Sequence, residues 1–323
     1  MPRRLPTRLR MLFVALAATG AAGRAVADDA PRQPLTDAWW TGPLLAPSAA
    51  TLPAGHVLVE PYLFDIQPRK RIDRDGKRTG VPRDDNGGSL AYINYGLTDE
   101  VTIGLVPHFG YRRAADGSHS SGIGVGDLTV QAQYRLRAYR PGSWAPALGV
   151  VLQESLPIGR HDRLEGRPND GFGSGAYATT FGLYSQTYFW TPNGRILRTR
   201  LDLSYTWSAD AQARGQSVYG TPSGFRGRAN PGDSFNADLA FEYSATRNWV
   251  LALDLAVQRD WATRVSGGAF RASSGASRAF IVAPAVEYNF NPSLGVIVGA
   301  RIVPAGRNIT TSVAPVIAVN YVR

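Results

Sequence analysis

Cysteine is absent from the chain and histidine occurs only four times. The first absence excludes a disulfide-built mini-domain, a thiolate metal site and a cysteine nucleophile. His56, His108, His119 and His161 show neither the H-x-x-x-H spacing nor the clustering of a zinc site. Long apolar runs are also missing: beyond Ala27 no stretch approaches the roughly 18 uninterrupted apolar residues of a spanning helix. What is present is a chain of 323 residues with 35 Gly, 14 Tyr and 7 Trp, long enough for one large domain or two small ones. Its net charge of +10 is not a nucleic-acid signature. Arg3, Arg4, Arg8, Arg10 and Arg24 lie in the first 27 residues, which hold no acid, and without them the charge falls to +5.

Residues 1–27 read as a cleaved secretory signal, with a basic start, an apolar run of about 12 residues from Met11 to Ala22, and Ala25-Val26-Ala27 as the small-x-small cleavage pattern. A spanning helix needs roughly 20 residues. The remainder is therefore expected either to be soluble outside the cytoplasm or to cross a membrane as strands.

Alternation decides between these, because strand side chains point to opposite faces with period 2. Leu128, Val130, Ala132, Tyr134 and Leu136 share one face, against Thr129, Gln131, Gln133, Arg135 and Arg137. Leu197, Thr199, Leu201, Leu203, Tyr205 and Trp207 oppose Arg198, Arg200, Asp202, Ser204 and Thr206 in the same way. Phe235, Ala237, Leu239, Phe241 and Tyr243 repeat the pattern against Asn236, Asp238, Ala240, Glu242 and Ser244. Extended along the chain, this reading predicts about twelve strands, near 54–65, 87–96, 99–112, 124–138, 144–157, 174–190, 195–208, 233–246, 248–261, 278–290, 293–304 and 309–322. Most exceed the five or six residues usual in soluble sheets and match the roughly nine to eleven that cross hydrocarbon.

Long connections (66–86, 113–123, 158–173, 209–232, 262–277) alternate with tight ones such as Leu97-Thr98 and Asn291-Pro292, the asymmetry of external loops and periplasmic turns in outer-membrane barrels. The connection at Pro304 to Asn308 is short for an external one. Aromatic residues gather at strand ends, as the two membrane interfaces favour. Tyr95, Trp144, Phe189, Trp190, Trp249, Tyr288, Phe290 and Tyr321 fall at the periplasmic ends, and Tyr111, Tyr177, Tyr205, Trp207, Phe235, Trp261 and Phe280 at the external ones. A soluble β-sandwich shares the alternation but not this agreement of loop, length and aromatic position. Pro61, Pro107, Pro284 and Pro315 fall inside strands and each removes a ladder hydrogen bond.

The run Tyr95-Gly96-Leu97-Thr98-Asp99-Glu100, followed by Gly104, Pro107 and Gly110, then Gly122-Ile123-Gly124-Val125-Gly126-Asp127-Leu128, resembles a family of outer-membrane transporters named for the meta-pathway of phenol degradation. Pro146-Ala147-Leu148 and Leu156-Pro157-Ile158-Gly159 continue the resemblance, which is best over about 90–160. It implies an outer-membrane barrel with a role in uptake of small organic compounds. One departure is the C-terminus, Tyr321-Val322-Arg323, where such barrels commonly finish on an aromatic residue. Gly124 and Gly126 have a reading of their own: they open a strand where a Cβ would crowd a neighbour. A phosphate cradle would instead open a helix.

Ionisable groups within a span face water, a partner or a pathway. The expected pore-lining set is Gln131, Gln133, Arg135, Arg137, Arg198, Arg200, Asp202, Asp238, Glu242, Asp254, Glu287 and Arg301. Two arrangements remain open: a basic wall facing an acidic one, or neighbouring charges that pair and plug the interior. Arg160 to Phe172 either covers the external mouth or folds inward. Ser118, His119 and Ser120 lack the Gly-x-Ser-x-Gly elbow of a lipid hydrolase.

The expectation is an all-β, closed antiparallel transmembrane barrel in the outer membrane. Its divisions are 1–27 signal, 28–53 periplasmic N-terminal segment and 54–323 barrel. It passes small organic solutes passively through a narrow lumen, with no catalytic residues, metal or cofactor. Outer-membrane lipid, the solute, periplasmic chaperones and the barrel-assembly machinery are its expected partners, and nucleic acid is not. Alternatives are a closed structural or surface-interaction barrel and an outer-membrane hydrolase. Residues 28–53, with Trp39 and Trp40, could plug the lumen, pack at the rim or stay disordered.

Overall fold

The computed structural model describes residues 30–323. The expected signal peptide and its cleavage site lie outside them. Twelve antiparallel strands form the wall: β1 Val57–Ile72, β2 Asp85–Gly96, β3 in two pieces (Val101–Val106, His108–Arg113), β4 in two pieces (Gly124–Val125, Leu128–Arg137), β5 Ala147–Leu156, β6 Ala178–Trp190, β7 Ile196–Ser208, β8 Ser234–Ser244, β9 Trp249–Asp260, β10 Ser277–Asn291, β11 Leu294–Arg307 and β12 Ile309–Val322. Each strand pairs with its sequence neighbours. β1 pairs on one side with β2 (Tyr62 opposite Leu90) and on the other with β12 (Tyr62 opposite Ala318), so the sheet closes and leaves no edge.

The faces follow the alternation. On β7 and β8, Leu201, Trp207 and Leu239 are exposed outward while Arg198, Arg200, Asp238 and Glu242 are buried inward. The inner face of β9–β12 differs from the expected polar lining. Ala252, Ala256, Ala283, Ala285 and Ala318 are buried there beside Ile281 and Ile297, and the alanines leave room for something else to pack.

The prolines act unequally. Pro107 divides β3, with the Ala91 amide donating to its carbonyl at 3.3 Å, whereas Pro61, Pro284 and Pro315 stay inside continuous registers. β11 runs through Pro304 to Arg307 and the chain turns on Asn308, whose φ of 54° is left-handed. Three segments expected as external loops carry strands: Arg78–Gly80 pairs with the end of β1, and the other two build a sheet of their own. Ala211–Arg214, Arg226–Asn230, Arg264–Gly267 and Phe270–Ser273 form a separate four-stranded sheet around Phe225, Ala229 and Val265. Pieces this short carry too few alternating positions to register as strands in the sequence.

Most of the assigned girdle aromatics are exposed, including Trp249, Phe290, Trp207 and Phe280. Trp190 is a correction: it takes the inward parity of β6 and its indole Nε1 donates to the Gln33 carbonyl at 2.9 Å. Leu239, at the centre of β8, tests which face meets lipid. Leu239→Arg is expected to destabilise the barrel by about 2–4 kcal/mol in denaturant titrations from lipid vesicles. A neutral effect would place that face away from hydrocarbon.

Candidate functional site

The interior is built on a carboxylate and two arginines from adjacent strands. Register places Arg198 directly opposite Glu242. Arg198 Nε donates to Glu242 Oε2 at 2.6 Å and its Nη2 contacts the other oxygen. Arg200 Nε lies 3.1 Å from Oε2. Glu242 is fully buried, and such a charge is tolerable only when it is paired.

Asp254 and Glu287 lie on the same inner surface without an arginine of their own among the described residues. Their partners come from the N-terminal segment. Glu287 Oε2 accepts the Thr41 and Gly42 amides at 2.7 and 3.2 Å. Asp254 accepts those of Leu44, Leu45 and Ala46 at 3.1, 3.3 and 3.1 Å. Arg200 Nη1 donates to the Ala46 carbonyl at 2.7 Å, and the Arg198 guanidinium lies 4.3 Å over the Trp40 ring. Backbone amides arranged around an anion act as fixed positive dipoles. Leu44 packs into the alanine-lined wall with Tyr62, Ala252, Ala283 and Ile297.

The path of this segment is an arch. It starts at the periplasmic rim of β6–β8, where Gln33 bridges Ser244 Oγ (3.0 Å) and the Ile196 amide (3.2 Å). It rises to the level of Arg200 and Asp254, then descends across the lumen. Gln133 Nε2 donates to the Ser48 carbonyl (2.9 Å), Ser48 Oγ to Gln186 Oε1 (3.3 Å) and the Leu52 amide to Thr102 Oγ1 (2.8 Å). It leaves against Gly96, where a Cβ would lie 2.0 Å from the Pro53 carbonyl oxygen. The expected periplasmic segment 28–53 is therefore, over residues 33–52, a plug inside the barrel. The unpaired inner acids, rather than any pattern in the segment itself, account for that placement.

Between the arch and the β1–β6 wall lies a cavity of about 270 Å³. Tyr62, Tyr92 and Tyr184 face it beside Glu60, Asn320 and Arg200. An amide chain crosses its wall, Gln153 Nε2 to Gln131 Oε1 and Gln131 Nε2 to Asn94 Oδ1, each at 2.8 Å. On the external side Phe172 reaches inward against β3 and β4, while Glu165 to Pro168 stay exposed. Asp127 accepts the Gly159 amide (3.0 Å) together with the Ser174 amide (2.7 Å) and Oγ (2.6 Å), joining two of the motifs singled out in the sequence. Phe172 inserts where a Cβ at Gly124 would lie 1.9 Å from its ring, and a Cβ at Gly126 would meet His108. Ser121 Oγ and its amide donate to Asp170 and hold that carboxyl below the usual carboxylate range.

Of the twelve expected pore-lining residues, Arg198, Arg200, Asp202, Asp238, Glu242, Asp254 and Glu287 come together as one buried cluster. Asp202 and Asp238 face each other across β7 and β8, and no protein group among the described residues bonds the Asp202 oxygens. Gln131 and Gln133 line the cavity, and Arg301 is half-buried on β11. Arg135 and Arg137 are instead at the periplasmic rim, the first 3.5 Å from Glu100 and the second donating to the Pro146 carbonyl at 2.7 Å. The basic and acidic walls do not exist as separate surfaces, because Arg198 and Arg200 pair with Glu242 on the next strand. Register thus joins Arg198 and Arg200 to Glu242 and leaves Asp202 and Asp238 outside the pairing. Glu60 escaped the sequence reading because Leu58, Tyr62 and Phe64 surround it with apolar groups at the inward positions of β1. Ser118, His119 and Ser120 make turn contacts, with Ser120 Oγ donating to the Asn169 carbonyl at 3.1 Å and His119 stacked on Tyr111.

A family model described as "Putative MetA-pathway of phenol degradation" matches residues 85–315. The chain belongs to that family. No curated protein matches the chain. Among solved structures, the COG4313 outer membrane channel from Pseudomonas putida F1 is similar in fold, with 15% identity, 85% of this chain and 98% of that one covered, and a TM-score of 0.68. The transport unit of the autotransporter AIDA-I from Escherichia coli (9% identity, 89% and 95% covered, TM-score 0.45) is also similar. So is the translocator domain of NalP from Neisseria meningitidis (11% identity, 84% and 89% covered, TM-score 0.44). The fold is that of an outer-membrane β-barrel.

Glu242→Gln leaves two buried guanidinium groups without their carboxylate. It is expected to lower stability by about 3–5 kcal/mol, read from the tryptophan-fluorescence unfolding midpoint in detergent, and a shift within error would remove the cluster from the interior's energetics.

Proposed function

We propose that this family member is an outer-membrane channel for passive uptake of small organic solutes, and that the described state is its closed form. The observation that carries the reading is a sealed barrel whose lumen is filled by a segment held through hydrogen bonds and small-residue packing, rather than by the wall itself. Twelve strands enclose more space than eight, whose side chains alone fill the interior. Here the excess is occupied by residues 33–52 and by the cavity.

The cavity bounds the solute. An apolar cavity of about 150 Å³ holds benzene, so 270 Å³ accommodates a ring with a substituent or two. Tyrosine faces supply apolar contact, and the phenol and amide groups orient a hydroxyl or carbonyl. Charge bounds it further. The inner surface carries Glu60, Asp202, Asp238, Glu242, Asp254 and Glu287 together with Arg112, Arg135, Arg198, Arg200 and Arg301, a mixed lining without a field of one sign, which suits neutral solutes. The pore-lining role belongs to these groups once the arch moves, and the family description fits a cargo of small aromatic compounds. On this reading the partners are outer-membrane lipid, the solute and, during biogenesis, periplasmic chaperones and the assembly machinery.

The second reading, a closed structural or surface-interaction barrel, draws on the same filled lumen and on the external four-stranded sheet. One experiment separates them. Asp254→Asn with Glu287→Gln replaces the carboxyl acceptors of five backbone amides, each hydrogen bond worth roughly 0.5–1.5 kcal/mol. In planar bilayers the double variant is expected to conduct several-fold more than the parent, and liposomes carrying it to swell faster in small neutral solutes. Absence of conductance and swelling in both proteins would leave the closed barrel.

A further inference from the structure

Three arginines on the outer surface have no role in the lumen. Arg259 on β9 is directly opposite Arg278 on β10, and Arg278 is directly opposite Arg307 on β11. All three are exposed, and directly opposed residues share one face of the sheet. That face is the outward one. Two residues nearer the membrane centre, the same row continues as Val257, Phe280 and Ala305, with Val257 and Phe280 exposed apolar groups. The arginine row thus stands immediately beyond the apolar band, at the external end.

Like charges placed directly across strands repel, so an uncompensated row requires an anion from elsewhere. Among the described residues none of the three forms a salt bridge. Two carboxylates at this end of the strands are engaged: Asp260 accepts Gln258 Nε2 at 2.9 Å and Ser277 Oγ at 2.8 Å, and Asp73 Oδ1 accepts the amides of Asp75, Gly76 and Lys77. The row is also held in place. Arg259 lies 4.9 Å over Trp261, and the Arg307 guanidinium rests on Gly76, where a Cβ would come within 1.5 Å of Nη1.

We propose that Arg259, Arg278 and Arg307 form a binding site for the phosphate groups of an outer-leaflet lipid. Guanidinium forks match phosphate oxygens in pairs, and three adjacent strands spread them over about 10 Å. Continuity with the apolar band argues for a lipid rather than a free anion. Acyl chains descend over Val257 and Phe280 while the phosphates stop at the arginines.

Native mass spectrometry of the full chain in detergent, with bisphosphorylated lipid A as the probe, tests this site without reading conduction. The parent is expected to retain the lipid, and Arg259→Gln/Arg278→Gln/Arg307→Gln to bind it at least ten-fold more weakly. Arg226→Gln/Arg264→Gln/Arg271→Gln, on the external sheet, serves as the matched loss of three charges and is expected to bind as the parent does. Heat-modifiable gel migration reports whether each variant is folded, and Arg278→Gln, at the centre of the row, is read if the triple variant is not. Equal binding by the triple variant (or by Arg278→Gln in its place), equal binding of the dephosphorylated lipid by the parent, or full displacement of the lipid by millimolar inorganic phosphate would each overturn the assignment.

Discussion

A carboxylate buried in a closed barrel is costly until it finds hydrogen-bond donors, and here meeting that need at Asp254 and Glu287 shuts the lumen. Glu242 is met by Arg198 and Arg200 from the wall. Asp254 and Glu287 are met by backbone amides of residues 41–46, which reach them only if the chain preceding β1 folds back through the periplasmic opening. The alanine-rich inner faces of β9–β12 complete the arrangement by giving Leu44 a surface to bury. Satisfying the charges and filling the lumen are one event.

This coupling shapes what the barrel does. The wall is hydrogen-bonded around its full circumference and is the rigid component. The arch is tied to it by a handful of polar contacts and one small apolar cluster, and is the part with a lower cost of displacement. From the other side Phe172 enters against Gly124, anchored through Asp127. The cavity lies between a periplasmic closure and an external constriction, so a solute passing through would meet it midway. On the proposed function, cargo selection rests on the tyrosines and amides that line it.

Much of the wall was legible in the sequence because lipid imposes a strict rule. On β7 and β8 every second residue had to be apolar, so strand identity, both faces and the inward position of Arg198, Arg200, Asp238 and Glu242 could be read directly. The turns were legible for the same reason, as tight periplasmic connections leave few residues between alternating runs. β1 hid its inner face because Leu58, Tyr62 and Phe64 pack against other groups inside, which removes the contrast that marks a lumen and conceals Glu60. Which charges pair was beyond a one-dimensional reading, since it depends on inter-strand register. Residues 33–52 have no periodicity at all. They form no strand or long helix, and their position is dictated by acids more than 200 residues away in the chain, such as Asp254, whose distance from Leu44 is 210.

The lack of cysteine in the chain makes one measurement especially direct. Thr41 Oγ1 donates to Asn289 Oδ1 at 3.0 Å, tying the arch to β10, so cysteines at these two positions would sit within cross-linking range. Mild oxidation of Thr41→Cys/Asn289→Cys in the membrane should give a near-quantitative intramolecular link in a heat-modifiable, folded barrel, with low bilayer conductance that rises when reductant is added. A folded barrel that forms no link, or one whose conductance is the same linked and reduced, would contradict a lumen closed by its own N-terminal segment.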